Sequence, residues 1–154
     1  MCVYEKLATL GIQLPHAPPK GGVYLPVKSF CEKLVYVSGT GPDVNGKAVK
    51  KGKLGKELTL EEGREAARLC AINILATIHT NLGDLNQIKS IVKTLAFVAS
   101  DSEFYEQPQV INGASEFLEE VFGPEVGLSV RSAIGTNALP GNIPVEIELL
   151  FELK

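Results

Sequence analysis

Near the end of the chain an arginine and three glutamates fall within two short segments: Arg131, then Glu146, Glu148 and Glu152. A guanidinium can grip a carboxylate through two parallel hydrogen bonds, and a neighbouring carboxylate can move a proton to or from the bound molecule. A guanidinium flanked by carboxylates makes a polar site able to hold a small organic acid. In Val145–Leu153, the residues Val145, Ile147, Leu149, Phe151 and Leu153 alternate with Glu146, Glu148, Leu150 and Glu152, the period of a strand with one apolar face. Applied to Val130–Ala138, the same logic sends Val130, Ser132, Ile134, Thr136 and Ala138 to the core. Arg131, Ala133, Gly135 and Asn137 then lie on the other face, beside the glutamates.

That arrangement has two outcomes. Arg131 can pair across the ladder with Glu152 or Glu148 on a wet face, where such a pair contributes about 0–1 kcal/mol. Alternatively a second subunit covers the face, and a partly buried Arg131 offers its planar fork to a ligand carboxylate. Alternation alone leaves both open.

Other reactive side chains are scattered. Cys2, Cys31 and Cys70 form no CxxC motif and stand at no metal-ligand spacing from His16 or His79, so no metal site is expected. They read as reduced thiols, with Cys70 inside a helix core. Gly39-Thr40-Gly41 lacks the Lys-Ser/Thr of a phosphate loop. Ser38 and Ser132 read as local hydrogen-bonding groups.

The elements that position these residues follow from periodicity and breakers. Tyr4–Leu10 reads as a short helix ended by Gly11 and Pro15, and the Pro/Gly-rich stretch 15–22 as a loop. Val23–Val27 and Leu34–Gly39 read as strands. Residues 45–56 (NGKAVKKGKLGK) hold five lysines and read as an exposed loop. Thr59 followed by Glu62 is a capping-box spacing that opens a helix running to about Asn81, with Gly83 as its stop. Ile91–Ala99 is apolar enough for a strand covered on both faces. Val110–Phe122 has helical spacing and stops at Gly123-Pro124. Two strands, 130–138 and 145–153, follow around the turn 139–144. The order β-β-α-β-α-β-β predicts an α+β sandwich, a sheet with two helices on one face.

The 154 residues suit one domain with one core. With 45% hydrophobic and 21% charged residues the composition is that of a folded chain. A net charge of −3 lacks the basic excess of a dedicated nucleic-acid binder. The first residues lack a basic start and a long apolar run, and no stretch reaches the ~20 apolar residues of a membrane helix. A cytoplasmic location with no membrane partner is the expectation.

Residues 130–153, VRSAIGTNALPGNIPVEIELLFEL, resemble the C-terminal signature of the RidA/YjgF family of enamine/imine deaminases: Arg-Ser, a Leu-Pro turn, then Val-Glu-Ile-Glu. Gly22-Val23-Tyr24, Val37-Ser38-Gly39 and Val110-Ile111-Asn112 match further family marks in order. The likeness runs from about Pro18 to Leu153. It is nearest the longer branch, with an N-terminal extension (1–17) and an inserted basic loop (45–57). The chain departs from the family pattern in having Val23 for Pro, Thr40 for Gln and Ala133 for Cys.

The resemblance implies a chorismate-mutase-like fold, a homotrimer with ligand clefts between subunits, and no cofactor. It implies that Arg131 grips the substrate carboxylate and that Glu146 activates or positions water. Tyr24 and Asn112 would line the cleft, and Gly39 and Ala133 would offer backbone groups. Three functions remain in view. One is hydrolysis of 2-imino acids to 2-keto acids and ammonia. The second is a non-catalytic trimer that senses a small carboxylic acid. The third is an endoribonuclease or translation inhibitor; it rests on the Lys-rich loop, beside which the sequence shows no aromatic stacking platform.

Overall fold

The structure, a computed structural model, describes residues 2–154; Met1 of the N-terminal extension lies outside the described residues. A short helix α1 (Val3–Thr9) precedes a hairpin of β1 (Val27–Phe30) and β2 (Leu34–Thr40). A small second hairpin follows, β3 (Asp43–Val44) and β4 (Lys47–Ala48). Then come α2 (Leu60–Leu82), β5 (Ile88–Ala99), α3 (Gln107–Phe122), the single-turn α4 (Pro124–Gly127), β6 (Val130–Thr136) and β7 (Val145–Leu153). The five main strands form one sheet in the order β1-β2-β7-β5-β6. β6 runs parallel to β5, and every other neighbouring pair in that sheet is antiparallel. α2 and α3 cover one face, as the periodicity predicts.

The core lies between that face and the helices. Val35, Val37, Ala96, Val98, Ile147, Leu149 and Phe151 from the strands meet Ala67, Cys70, Ile74, Ile111 and Phe117 from the helices, all essentially inaccessible. The capping box at Thr59 forms in both directions: the Thr59 hydroxyl accepts from the Glu62 amide, and the Glu62 carboxylate accepts from the Thr59 amide at 2.9 Å. α2 and α3 approach closely at Gly113, where a Cβ would overlap the backbone carbonyl of Arg64. A mid-helix glycine normally costs helix stability, and here it permits the crossing.

Three expectations are corrected. The first strand is Val27–Phe30, not Val23–Val27; residues 18–25 stay irregular, because Pro18, Pro19 and Pro26 cannot donate to a ladder. The Lys-rich segment is not all loop: Asn45-Gly46, both at positive φ, turns β3 into β4, the chemistry of a two-residue hairpin turn. The third concerns Arg131. β5 pairs Thr94 with both Arg131 and Leu149, and Phe97 with both Ile134 and Glu146. Directly paired residues share a face, so Arg131 points to the helical face and Glu146 to the uncovered one. The two do not share a face as the alternation suggested. β6 is an edge strand, and its apolar residues Val130 and Ile134 are 68% and 47% exposed on the uncovered face, which inverts the phase read from its pattern.

Candidate functional site

Arg131 leaves the edge strand β6 toward α3. Its Nη1 donates to Asn112 Oδ1 at 2.9 Å and to Ser115 Oγ at 3.0 Å. Both acceptors are neutral and one helical turn apart, so α3 fixes the guanidinium without neutralising it. Among the described residues Arg131 forms no ion pair with a carboxylate. A partly buried, oriented and uncompensated guanidinium is the arrangement that receives an anion. The cross-ladder pairing with Glu148 or Glu152 is absent: Glu148 accepts from the Tyr36 hydroxyl at 2.7 Å, and Glu152 pairs with Lys89 at 2.9 Å. Ala133 stands two residues on from Arg131 on the same side, partly buried against the core.

Glu146 belongs to a different cluster. It lies at the start of β7, where the register of β2 against β7 shifts between Val37 and Thr40. The shift places an extra β2 residue opposite the ladder, a bulge of the kind that re-aims a side chain. Gly39 occupies it, and a Cβ at Gly39 would overlap the Glu146 carboxylate. The glycine therefore makes the space that the carboxylate fills. Burial, and secondarily the Glu148 carboxylate, holds the Glu146 carboxyl above its ordinary range. A carboxyl that keeps its proton more readily is suited to general acid/base work.

Glu146 and Gly39 line a cleft of about 880 Å³ with Tyr24, Ser38, Thr40 and Asp43. Tyr24 reaches the cleft from the irregular 18–25 segment, its hydroxyl accepting from the Gly21 amide at 3.1 Å. Lys20 of the same segment, and Lys47 and Lys51 of the lysine-rich segment, line the same cleft as Tyr24. Behind the cleft, Asn73 of α2 donates to the carbonyls of Gly41 and Asp43 at 2.9 and 2.8 Å, fixing the exit of β2.

The six residues singled out from sequence thus fall into two groups: Tyr24, Gly39 and Glu146 around the cleft, and Asn112, Arg131 and Ala133 at the β6 edge on the helical side. Sequence reasoning missed Ser115, the second acceptor for Arg131; its signal was the i, i+3 spacing from Asn112. No group of three or more His, Cys, Asp or Glu able to hold a metal occurs among the described residues. No helix among them is long and apolar enough to cross a membrane.

Comparison with known proteins places this architecture. A family model described as "YjgF/chorismate_mutase-like, putative endoribonuclease" matches residues 4–153. Protein TCP17 of Trypanosoma cruzi is 40% identical over 153 residues, which cover 99% of this chain and 94% of that protein. The crystal structure of Atu1372 from Agrobacterium tumefaciens is 39% identical with a TM-score of 0.90, covering 99% of this chain and 92% of that one. The YjgF gene product of E. coli shares the fold at a TM-score of 0.62 and 22% identity, over 93% of this chain and 99% of its own. The chain is a member of the RidA/YjgF family, with that family's chorismate-mutase-like fold.

Proposed function

We propose that the chain is a cofactor-free imine/enamine deaminase whose active site is completed between subunits of a homotrimer. The observation that carries this reading is the separation of the two clusters. Arg131, held by Asn112 and Ser115 without a counter-charge, faces the helical side at an edge strand. Glu146, desolvated over Gly39, faces the other side. One copy holds them on opposite faces of its sheet, whereas the edge of one copy against the cleft of another brings both to one small molecule.

In such a site Arg131 of one subunit holds the carboxylate of a 2-imino acid and orients its C=N carbon toward Glu146 of the neighbour. Water adds to that carbon and gives a proton to Glu146. Glu146 passes that proton to the nitrogen, giving a carbinolamine, and then carries the hydroxyl proton to the nitrogen as the C=O bond forms and the C–N bond breaks, leaving a 2-keto acid and ammonia. Imines already hydrolyse in water, so one anchor and one acid/base suffice for modest acceleration.

The test measures 2-keto acid release from an imine generated in situ. Arg131→Ala should lower kcat/KM by about 10- to 100-fold, the range of a lost charged hydrogen bond. Glu146→Gln should abolish turnover and retain binding of the keto acid. Co-assembly of the two impaired variants should raise activity above that of either alone, since about one quarter of randomly mixed interfaces unite an intact Arg131 with an intact Glu146. No recovery sinks the shared site. Absence of turnover in the parent protein, with keto-acid binding retained, favours a sensor.

A ribonuclease reading has one observation in its favour, that Tyr24 lines the same cleft as Lys20, Lys47 and Lys51. RNA binding there would weaken steeply with salt and with Tyr24→Ala.

A further inference from the structure

We propose that the Glu146 cleft carries a second anion subsite at its rim, formed by Lys20, Lys47 and Lys51, and that the preferred ligand is a 2-imino or 2-keto acid bearing a second carboxylate at its far end. The proposal rests on the deaminase site above and names its substrate class.

The five lysines of the 45–57 segment are not equivalent. Lys50 pairs with Glu62 at 3.2 Å and Glu65 at 3.1 Å, Lys53 donates to Asn137 at 3.1 Å, and Lys56 lies 3.7 Å from Glu57. Lys47 and Lys51 have no ion pair among the described residues, and both line the cleft. Lys20, likewise without an ion pair there, arrives from a separate segment. The fold brings the three together. Pro19 packs on the β3–β4 turn, with Pro19 Cγ 3.5 Å from where a Gly46 Cβ would stand, so Lys20 and Lys47 flank one contact. The Gly52 amide donates to the Asn142 carbonyl at 3.0 Å, tying the residue after Lys51 to the Pro140–Asn142 turn, a wall of the same cleft.

The lysines are exposed at the rim, while Asp43 and Glu146, the acids facing the cleft, are partly buried. Positive charge therefore lies where a ligand enters and extends, and the acids lie deeper. The cleft, about 880 Å³, is in the range that encloses drug-sized ligands and is more than a four-carbon acid fills. A ligand with its 2-carboxylate on Arg131 of a neighbouring copy would direct its far end to the lysines.

The experiment is titration calorimetry of the full chain with two stable keto acids, 2-oxobutanoate and 2-oxoglutarate. The second should bind about threefold to tenfold more tightly, the scale of one or two exposed charge contacts. The ratio of the two dissociation constants should fall to about one in Lys47→Ala/Lys51→Ala, and should shrink as salt is raised from about 0.05 to about 0.5 M. Equal affinities in the parent, or a ratio untouched by the double variant, overturn the subsite. Arg131→Ala separates the two readings. If it abolishes 2-oxobutanoate binding while the parent shows no preference, the carboxylate site stands and the subsite falls. If the preference is present but no imine is turned over, deamination falls and the subsite stands.

Discussion

At the scale of single residues, Glu146 has the most consequential environment. Its carboxyl is held above the ordinary range, so the folded chain binds that proton more tightly than the unfolded chain. The penalty on the charged form is absent below the unfolded value near 4.5 and grows until pH passes the raised folded value. Glu146→Gln removes the charge. Its melting temperature relative to the parent should therefore climb as pH rises from about 4 toward about 8, and a flat difference would show that burial exerts no such penalty. Gly39 acts on the same group through space. In Gly39→Ala the new methyl meets the far end of a flexible side chain, so the carboxylate moves and the fold survives. Turnover should drop by as much as about 10²-fold, the cost of a misplaced reacting group, with little change in melting temperature. Loss of stability with activity intact would contradict that account.

At the scale of elements, the crossing of α2 over α3 decides what a substitution does. Replacing a mid-helix glycine with alanine ordinarily gains about 1 kcal/mol. At Gly113 the methyl would overlap the Arg64 backbone, and overpacking of that kind costs about 1–3 kcal/mol. Gly113→Ala should therefore destabilise the chain in urea unfolding. A rise in midpoint would show that the helices separate freely. Elements with local signatures were legible in the sequence. Thr59 and Glu62 mark the start of α2, Gly83 its end, and the alternation of Val145–Leu153 marks β7. The face on which Arg131 sits was not. Its phase depends on parallel pairing with β5, 37 residues earlier (Thr94 opposite Arg131), and β6 carries apolar Val130 and Ile134 on the side without helices. The cleft was legible in its members but not in its assembly, because Tyr24, Gly39 and Glu146 come from three segments whose meeting is set by sheet order. The NG turn inside the lysine segment was a readable hairpin signal outweighed by its charge.

At the scale of the whole molecule, the sheet has helices on one face alone. The other exposes Phe30, Tyr36, Val130 and Ile134, with Glu146 in the same row as Phe97 and Ile134. Exposed apolar side chains spread over an uncovered sheet face favour association. If the proposed trimer closes over that face, Ile134→Lys should lower the solution mass to that of the 16.5 kDa chain while leaving its circular dichroism unchanged. An unaltered oligomer would place the interface elsewhere. The order of the strands has a further consequence, for how the chain reaches this state. β7 follows every other strand in sequence yet sits between β2 and β5, joined to both. Until it arrives, the β1–β2 hairpin and the β5–β6 pair are separate pieces with open edges, and the pairing that unites them spans more than a hundred residues for β2. Closing so distant a contact is slow, and open edges in the interval are prone to pairing with other chains. The strand that carries Glu146 is thus also the keystone of folding: the sheet becomes one body at the step that delivers the acid to its cleft.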